Sequence, residues 1–390
     1  MIHLFINALA ASAGGGLTYI RNVVPHIAGR EGVKATVLLG ARLGRELQAS
    51  SNLTFVERNG CSNVALRFFE EQRIVRDLVR QCAADVLLSA GNFALLNSPV
   101  PQILLSRNSL YTSRDFYLDL RSRGDYRLWL DTQLKSEFAR LSIQAADTVV
   151  APSEAFAEEL RRWTGNSVAA IHHGFDRDAF VSDQSPLPRD TQDKLDSGRE
   201  GLRLLFVSHY NYYRNFETLI RALALIKRAL APREVHLFLT CKLAAGENPG
   251  AYRTDFAAAL VRELGLSQEV VELGTVPYQR LYQVYQAAHI YVTPAYAESF
   301  AHPLVEAMSS GLPVVASDLD VHREICGSAA VYFSRFSPQE LAKQILEVDL
   351  SSELVSQLSQ AGTKQVAKFS WKRHLDQILS LARRLAGRAD

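Results

Sequence analysis

Two carboxylates eight residues apart, Glu298 and Glu306, give this 390-residue chain its clearest chemical signal. They lie in the stretch TPAYAESFAHPLVEAMSSGLPVVAS, which runs from Thr293 to Ser317. A strand ends near Pro294, and Glu298 falls on the loop after it. Pro303 fits the first turn of a helix, where its missing N–H is an orphan in any case. Glu306 follows on that helix, and Gly311-Leu312-Pro313 ends it before the next strand. The backbone N–H groups of residues 299–304 then converge at a helix N-terminus, a natural seat for phosphate or sugar oxygens. An ionised carboxylate only accepts hydrogen bonds, so each glutamate suits adjacent hydroxyls of a sugar or ribose. A capped helix with two solvated glutamates is the bland alternative; it must also explain the loop, the proline and the glycine stop together.

A second segment, FVSHYNYYRN from Phe206 to Asn215, reads as a strand, a loop carrying a cation, and a helix start. Charge and geometry make that a holder for a diphosphate, with Arg214 as the cation. His209 adds a second charge only if its pKa rises. A third segment, Gly14-Gly15-Gly16, sits between a strand and a helix, where glycines let a ligand approach the backbone. A simple turn explains it equally well. It is not G-x-G-x-x-G, and no acidic ribose-binding residue follows at the expected distance, which disfavours NAD.

Together these segments resemble glycosyltransferase family 4 of the GT-B superfamily, whose signature reads E-G-F-G-x-P-x-x-E-A-M-x-x-G-x-P-V-V. Glu298, Phe300, Pro303, Glu306, Ala307, Met308, Gly311, Pro313, Val314 and Val315 are in register with it. Ser299 and Ala301 stand where the family commonly has glycines. The resemblance implies that Glu306 bonds the donor ribose and Glu298 the transferred sugar. Ser299, Phe300, Ala301, His302 and Leu304 then border the sugar and its phosphate. The family's diphosphate segment, G-R-x4-K-N/G, keeps its second cation and neighbour here as Arg214-Asn215. Ser208-His209 replaces the glycine and arginine. The Gly14–Gly16 run resembles the family's N-terminal glycine loop beside the donor phosphate. Ile171-His172-His173-Gly174-Phe175-Asp176 resembles its I-x-x-G-V-D stretch, expected to shape the hinge between domains. Glu324 occupies a familiar acidic position, equally well read as a surface glutamate.

The acceptor side departs from the family. Where a histidine often follows the strand at 102–105, this chain has Arg107 and Asn108, the two residues left for that place. Residues 107–140 then interleave arginines with aromatics, among them Arg114, Phe116, Tyr117, Arg121, Arg123, Tyr126, Arg127 and Trp129. Two readings stay open: a seat for a charged or lipid-linked acceptor or an anionic membrane, and an ordinary amphipathic surface. Asp318-Leu319-Asp320 spells D-x-D but follows a strand and starts a helix, where aspartates cap free N–H groups. The histidines lack metal-ligand spacing, so neither a metal nor any other cofactor is expected.

The elements that must position these residues come from the alternation of short β-branched runs with helix-period segments, which means parallel sheets covered on both faces. Strands are expected at 2–6, 33–39, 85–89, 102–105, 147–151 and 167–171, then at 202–207, 234–240, 270–273, 289–293, 313–316 and 330–333. Residues 182–201 are polar and aperiodic, the composition of a linker. They divide the chain into an acceptor-side domain, 1–181, and a donor domain, 202–368. The tail, 369–390, carries an apolar stripe of Trp371, Leu375, Ile378, Leu379 and Leu385 and is expected to cross back to the first domain. The fold class expected is α/β, GT-B, with two Rossmann-like doubly wound domains facing across a cleft.

A net charge of +2, from 43 basic and 41 acidic residues, speaks against nucleic acid as a partner. Four scattered cysteines, Cys61, Cys82, Cys241 and Cys326, form neither a zinc site nor a disulfide framework. The N-terminal run ending Ala11-Ser12-Ala13 lacks the charged start of a signal peptide and reads as a first strand and its loop. The function expected is therefore metal-independent, retaining transfer of a hexose, mannose or glucose, from a nucleoside-diphosphate sugar. The acceptor is a saccharide or lipid-linked saccharide of a cell-surface polysaccharide or lipopolysaccharide. The place is the cytoplasm, with peripheral contact at the membrane's inner face. Alternatives are a nucleotide-sugar-binding protein that does not transfer, and an epimerase or phosphorylase of the same fold.

Overall fold

The computed structural model describes residues 1–11, 14–58, 64–250 and 252–387. Cys61 and the Ser12-Ala13 dipeptide lie outside them. The described residues form two wholly parallel sheets. In the first, β1 (Ile2–Asn7), β2 (Val33–Leu39), β3 (Leu53–Glu57), β4 (Val86–Ser89), β5 (Gln102–Leu105), β6 (Thr148–Ala151) and β7 (Val168–Ala170) lie in the order β3-β2-β1-β4-β5-β6-β7. The second holds β8 (Leu202–Phe206), β9 (Val235–Leu239), β10 (Val270–Glu272), β11 (Ile290–Thr293), β12 (Val314–Ser317) and β13 (Ala330–Phe333), in the order β10-β9-β8-β11-β12-β13. Both orders are the doubly wound pattern that reverses beside its first strand. β1, β4, β9 and β11 are buried along their whole length. Burial on both faces is why these strands read as apolar runs rather than alternations.

The chain forms two compact units that exchange segments. The first comprises Met1–Thr112, Trp129–Gly174 and Phe369–Asp390; the second comprises Ser113–Leu128 and Phe175–Lys368. In the first unit, the helix Trp371–Leu385 buries Trp371, Leu375, Ile378, Leu379 and Ala382 in one cluster with β1 and β2. Each large apolar side chain so buried contributes about 1.5–3 kcal/mol, so the tail is part of this core. A Cβ on Gly174 would overlap the backbone nitrogen of Trp371, so only glycine fits beneath the tail. Tyr19 adds a polar tie, with its hydroxyl 3.0 Å from His374 Nε2.

In the second unit, part of the segment read as a linker, 182–201, forms a helix, Arg189–Asp196, because Thr191 and Leu195 share one buried face. The Arg114–Ser122 helix also belongs here. Ser113 Oγ caps it by accepting from Phe116 N at 3.3 Å, and Phe116 and Leu120 are its buried side chains. Two further helices without a sequence-based expectation, Pro338–Leu350 and Ser352–Val366, follow β13. The D-x-D segment departs from the capping expectation. Leu319 is the N-cap of the Asp320–Cys326 helix, without a side-chain cap bond. Asp318 Oδ1 instead accepts the Arg335 N–H at 3.2 Å, because the chain leaving β13 passes beside it. Among the described residues, no His/Cys/Asp/Glu group is placed to hold a metal, and no helix is long and apolar enough to cross a membrane.

Candidate functional site

The second sheet reverses direction of winding between β8 and β11. In doubly wound sheets, ligands bind outside the carboxyl ends of the strands at such a point. The loop after β8 carries His209 and Arg214, and the loop after β11 carries Glu298. Backbone and side-chain bonds tie the two loops together. Tyr296 N donates to Tyr213 O at 2.9 Å. Asn215 Nδ2 donates to Pro294 O at 3.1 Å and to Arg335 O at 2.6 Å. Both amide hydrogens of Asn215 are thereby used. Its backbone is left-handed, φ 57°, a conformation asparagine tolerates better than most residues. It turns the chain sharply just after Arg214. Beneath the second loop, Ser317 Oγ donates to Ala295 O, and His322 Nδ1 sits 3.0 Å from Ser317 O.

On this frame Arg214 Nη1 donates to Glu298 Oε1, and the two side chains are only 18% and 10% exposed. The guanidinium also lies over the Tyr213 ring, 5.1 Å from its centroid. His209 supplies no second cation at neutral pH: desolvation, then the Arg214 charge, holds its pKa below the ordinary value. The helix His302–Ser309 starts after Ala301, whose φ is 61°, and has Pro303 in its first turn. Leu304 is fully buried and its N–H is used on Ala301 O at 3.0 Å. Phe300 is buried against the His302 ring at 4.8 Å, while Ser299 is half-buried. Glu306 is 5% exposed, and burial pushes its pKa up to about 7 against the hydrogen bond from Tyr285. Tyr285 Oη donates to Glu306 Oε2 at 2.8 Å.

The Arg114–Ser122 helix and its flanks brace these loops within the same unit. Tyr296 Oη donates to Asp119 Oδ2 at 2.7 Å. Arg123 donates to Asp119 Oδ1 and to Glu217 Oε1, both at 2.8 Å, and covers the Tyr212 ring at 4.3 Å. Arg335 Nε donates to Asp115 Oδ2 at 2.9 Å. Asp115, Phe116, Asp119 and Arg123 thus turn toward the donor-side loops.

In the first unit, Gly14, Gly15 and Gly16 form the first turn of Gly14–Val23, the first helix to follow β1, at that sheet's own reversal point. A Cβ on Gly15 would meet nothing within 4 Å, whereas one on Gly16 would lie 3.4 Å from Arg107 Nη2. Arg107 Nη1 donates to Gly15 O at 2.9 Å, and Nη2 donates to Ala90 O. Its backbone N–H donates to Asn92 Oδ1 at 2.7 Å. Burial lowers the Arg107 pKa to about 10, partly offset by Tyr19, so it stays a cation at neutral pH. Asn108 Oδ1 accepts from Leu110 N at 3.1 Å and caps a short 3-10 turn. His172 O accepts from His374 Nδ1 at 2.9 Å, and His173 is buried beside Tyr19 and Trp371.

Two family models account for most of the chain. The model described as Glycosyltransferase Family 4 matches residues 13–179, and the one described as Glycosyl transferases group 1 matches residues 189–365. The chain belongs to glycosyltransferase family 4. Its fold is GT-B: it superposes on sucrose-phosphate synthase from Thermosynechococcus elongatus with a TM-score of 0.79 and 17% identity, over 99% of this chain and 100% of that one. The Anabaena protein HepE, in complex with UDP-glucose, gives a TM-score of 0.72 and 18% identity, over 98% and 100% of the two chains. In sequence, the chain is 34% identical to D-inositol 3-phosphate glycosyltransferase of Nocardia farcinica over 114 residues, 29% of this chain and 25% of the relative. It is 32% identical to O-antigen chain mannosyltransferase B of Escherichia coli over 109 residues, 28% of each. It therefore spans only about a quarter of the length of these curated relatives.

Within the family 4 frame, the structure brings Arg214, Glu298 and the start of the Glu306 helix to one sheet edge. Arg107 meets the glycine run at the other sheet. Asn215 and Leu304 have their donors committed to backbone carbonyls, so they shape loops. Glu324 is half-buried, its carbonyl accepting from Gln365 Nε2 at 3.3 Å. Sequence reasoning missed Tyr285, Tyr296 and Asp119, and it placed Arg123 in the acceptor-side run rather than beside the donor loops. The only available signal was a tyrosine at helical spacing and an arginine-rich run, which both look like ordinary packing.

Proposed function

We propose that this chain is a metal-independent, retaining glycosyltransferase that moves a hexose, glucose or mannose, from a nucleoside-diphosphate sugar to a hydroxyl of a saccharide or lipid-linked saccharide. The observation that carries this reading is the Arg214–Glu298 pair at the reversal point of the second sheet, with buried Glu306 on the helix that follows. In the donor complex Arg214 turns to the diphosphate, Glu298 accepts from hydroxyls of the transferred sugar, and Glu306 accepts from the ribose. Ser299, Phe300, Ala301 and His302 border the sugar phosphate. The Gly14–Gly16 turn is the loop proposed for the donor phosphate; Arg107, which donates to Gly15 O, and Asn108, beside it in sequence, serve the acceptor. HepE supports the donor class, having been solved with UDP and with UDP-glucose.

The bond from the anomeric carbon to the diphosphate oxygen breaks, and a bond to the acceptor oxygen forms. The products are the glycoside, the nucleoside diphosphate and one proton. Catalysis is then positioning of two reactants plus stabilisation of the negative charge developing on the leaving diphosphate. Arg214 is the fixed cation for that charge. We place the reaction in the cytoplasm, at the inner face of the membrane, in the assembly of a cell-surface polysaccharide or lipopolysaccharide. One relative is an O-antigen chain mannosyltransferase, which favours that setting.

The test is incubation of the purified protein with UDP-glucose, GDP-mannose and a saccharide acceptor panel, with and without EDTA, reading the anomer by NMR. An α-linked product from an α-donor, formed equally in EDTA, is the expected result. An inverted product contradicts retention, and loss of activity in EDTA with rescue by manganese contradicts metal independence.

A further inference from the structure

Glu306 is buried more deeply than a hydroxyl-binding carboxylate can be without help. Only 5% of the residue is exposed, and desolvation is the largest influence on its ionisation. A carboxylate in that position needs a donor inside the protein to stay charged and to hold one rotamer. Tyr285 is that donor. It is fully buried on the helix Leu281–Gln286, with its hydroxyl 2.8 Å from Glu306 Oε2 and 3.3 Å from Pro303 O in the first turn of the Glu306 helix. Its ring is wedged between those of Phe180, at 6.0 Å, and Tyr291, at 5.8 Å, so the hydroxyl has little freedom to move. Among the described residues Glu306 Oε1 accepts no hydrogen bond. One oxygen is held and one is left for a ligand.

We infer that Tyr285 is the positioning residue of the nucleotide site: its hydroxyl fixes Glu306 Oε2 so that Oε1 presents to the ribose. The inference rests on the ribose assignment of Glu306 made above. It makes the site's pH dependence a property of one pair. Of the elements packed on the His302–Ser309 helix, β12 carries no ionisable group. The Asp320–Cys326 helix carries Asp320, His322, Arg323, Glu324 and Cys326, and Ser352–Val366 carries Glu353 and Lys364. None of these acts on Glu306; burial and Tyr285 do. The phenols of Tyr278 and Tyr291 also face it, and both are pushed up by burial and stay neutral.

The experiment is calorimetric titration of wild type and Tyr285→Phe with UDP and with GDP, from about pH 5.5 to 8.5, a span that brackets a perturbed carboxyl. Alongside it, the Glu306 carboxyl is titrated by carbon-13 NMR in nucleotide-free protein. In wild type, affinity should rise with pH through about 7 as Glu306 ionises. In Tyr285→Phe the rise should move to higher pH, because a bond to the charged form is gone, and affinity at pH 7 should fall about tenfold. The deficit should shrink at alkaline pH, and Glu306→Gln should abolish the rise in either background. An equal loss at every pH, or an unmoved carboxyl titration, means that Tyr285 only fills space and overturns the inference. If wild type binds neither nucleotide, nor ADP or dTDP, the donor reading fails and the ribose role with it. The carboxyl titration still decides whether Tyr285 controls Glu306.

Discussion

Arg214 and Glu298, 84 positions apart in the chain, form an ion pair between the loops that follow β8 and β11. Each is the partner the other would lose when a donor binds. The pair keeps a buried cation and a buried carboxylate compensated in the protein without ligand, which is what holds either charge at low exposure.

Substitutions on the two sides of this pair should therefore behave differently. Arg214→Ala should weaken binding of UDP or GDP by about 2–3 kcal/mol and hardly affect the nucleosides, as expected for loss of a charge-assisted bond to phosphate. Glu298→Gln should leave binding of the free diphosphate unchanged or tighter, since Arg214 is released, while lowering kcat by about a hundredfold or more. Calorimetry with nucleoside and diphosphate separates the two effects. Equal losses for nucleoside and diphosphate in Arg214→Ala contradict the assignment.

Glu306 gives a stability prediction with a definite sign. Its folded pKa, about 7, lies above the ordinary value of 4.5. The folded state therefore holds its proton more tightly than the unfolded state. The associated stability is fully present below about pH 4.5, falls as pH rises to about 7, and stays lost above that. The shift corresponds to roughly 3 kcal/mol at most. Glu306→Gln removes this loss, so its stability relative to wild type in urea should improve between pH 5 and pH 8, values chosen to span that window of roughly two to three pH units. A difference between the two proteins that does not change with pH contradicts the burial of the charge.

Ala301 precedes the Glu306 helix in the left-handed region, φ 61°. An alanine there costs about 1 kcal/mol more than glycine, partly offset by glycine's larger unfolded-state entropy. Ala301→Gly should raise stability by about 0.5 kcal/mol, seen as a small rise in Tm. A fall of similar size shows that the methyl group's packing outweighs the strain.

Gly174 sits against the backbone of Ser370 and Trp371. Gly174→Ala should cost about 3 kcal/mol or more, because the tail helix must shift to admit the methyl group and its buried face leaves the core. Thermal unfolding and limited proteolysis near residue 369 should both report it. A variant as stable as wild type contradicts the packing of the tail on the first unit.

Much of this architecture was legible in the sequence because its signals are local. Strand runs, the glycine stop at Gly311 and the spacing of Glu298, Pro303 and Glu306 each depend on neighbours within a turn or two. β3 escaped notice because Leu53–Glu57 is an edge strand with only Leu53 fully buried, so its apolar pattern is weak. The helix Arg189–Asp196 escaped because its buried face consists of Thr191 and Leu195 in otherwise polar sequence. The bracing of the donor loops was illegible for another reason. Tyr296 and Asp119 are 177 positions apart, and Arg335 and Asp115 are 220 apart. Arginines and aromatics in residues 113–128 look like a surface until their partners across that distance are known. Tyr285 is hidden similarly, since a tyrosine at helical spacing looks like core until Glu306 is found beneath its hydroxyl.

The central claim, a diphosphate-nucleotide site organised by Arg214, is tested most directly by thermal unfolding with UDP, GDP, ADP, dTDP and CMP, in wild type and in Arg214→Ala. A ligand at about 100 times its Kd should stabilise wild type by about 2.7 kcal/mol. The expected result is a melting shift with one nucleoside diphosphate that disappears in Arg214→Ala. No shift with any of them at millimolar concentration, or a shift that Arg214→Ala leaves intact, contradicts it.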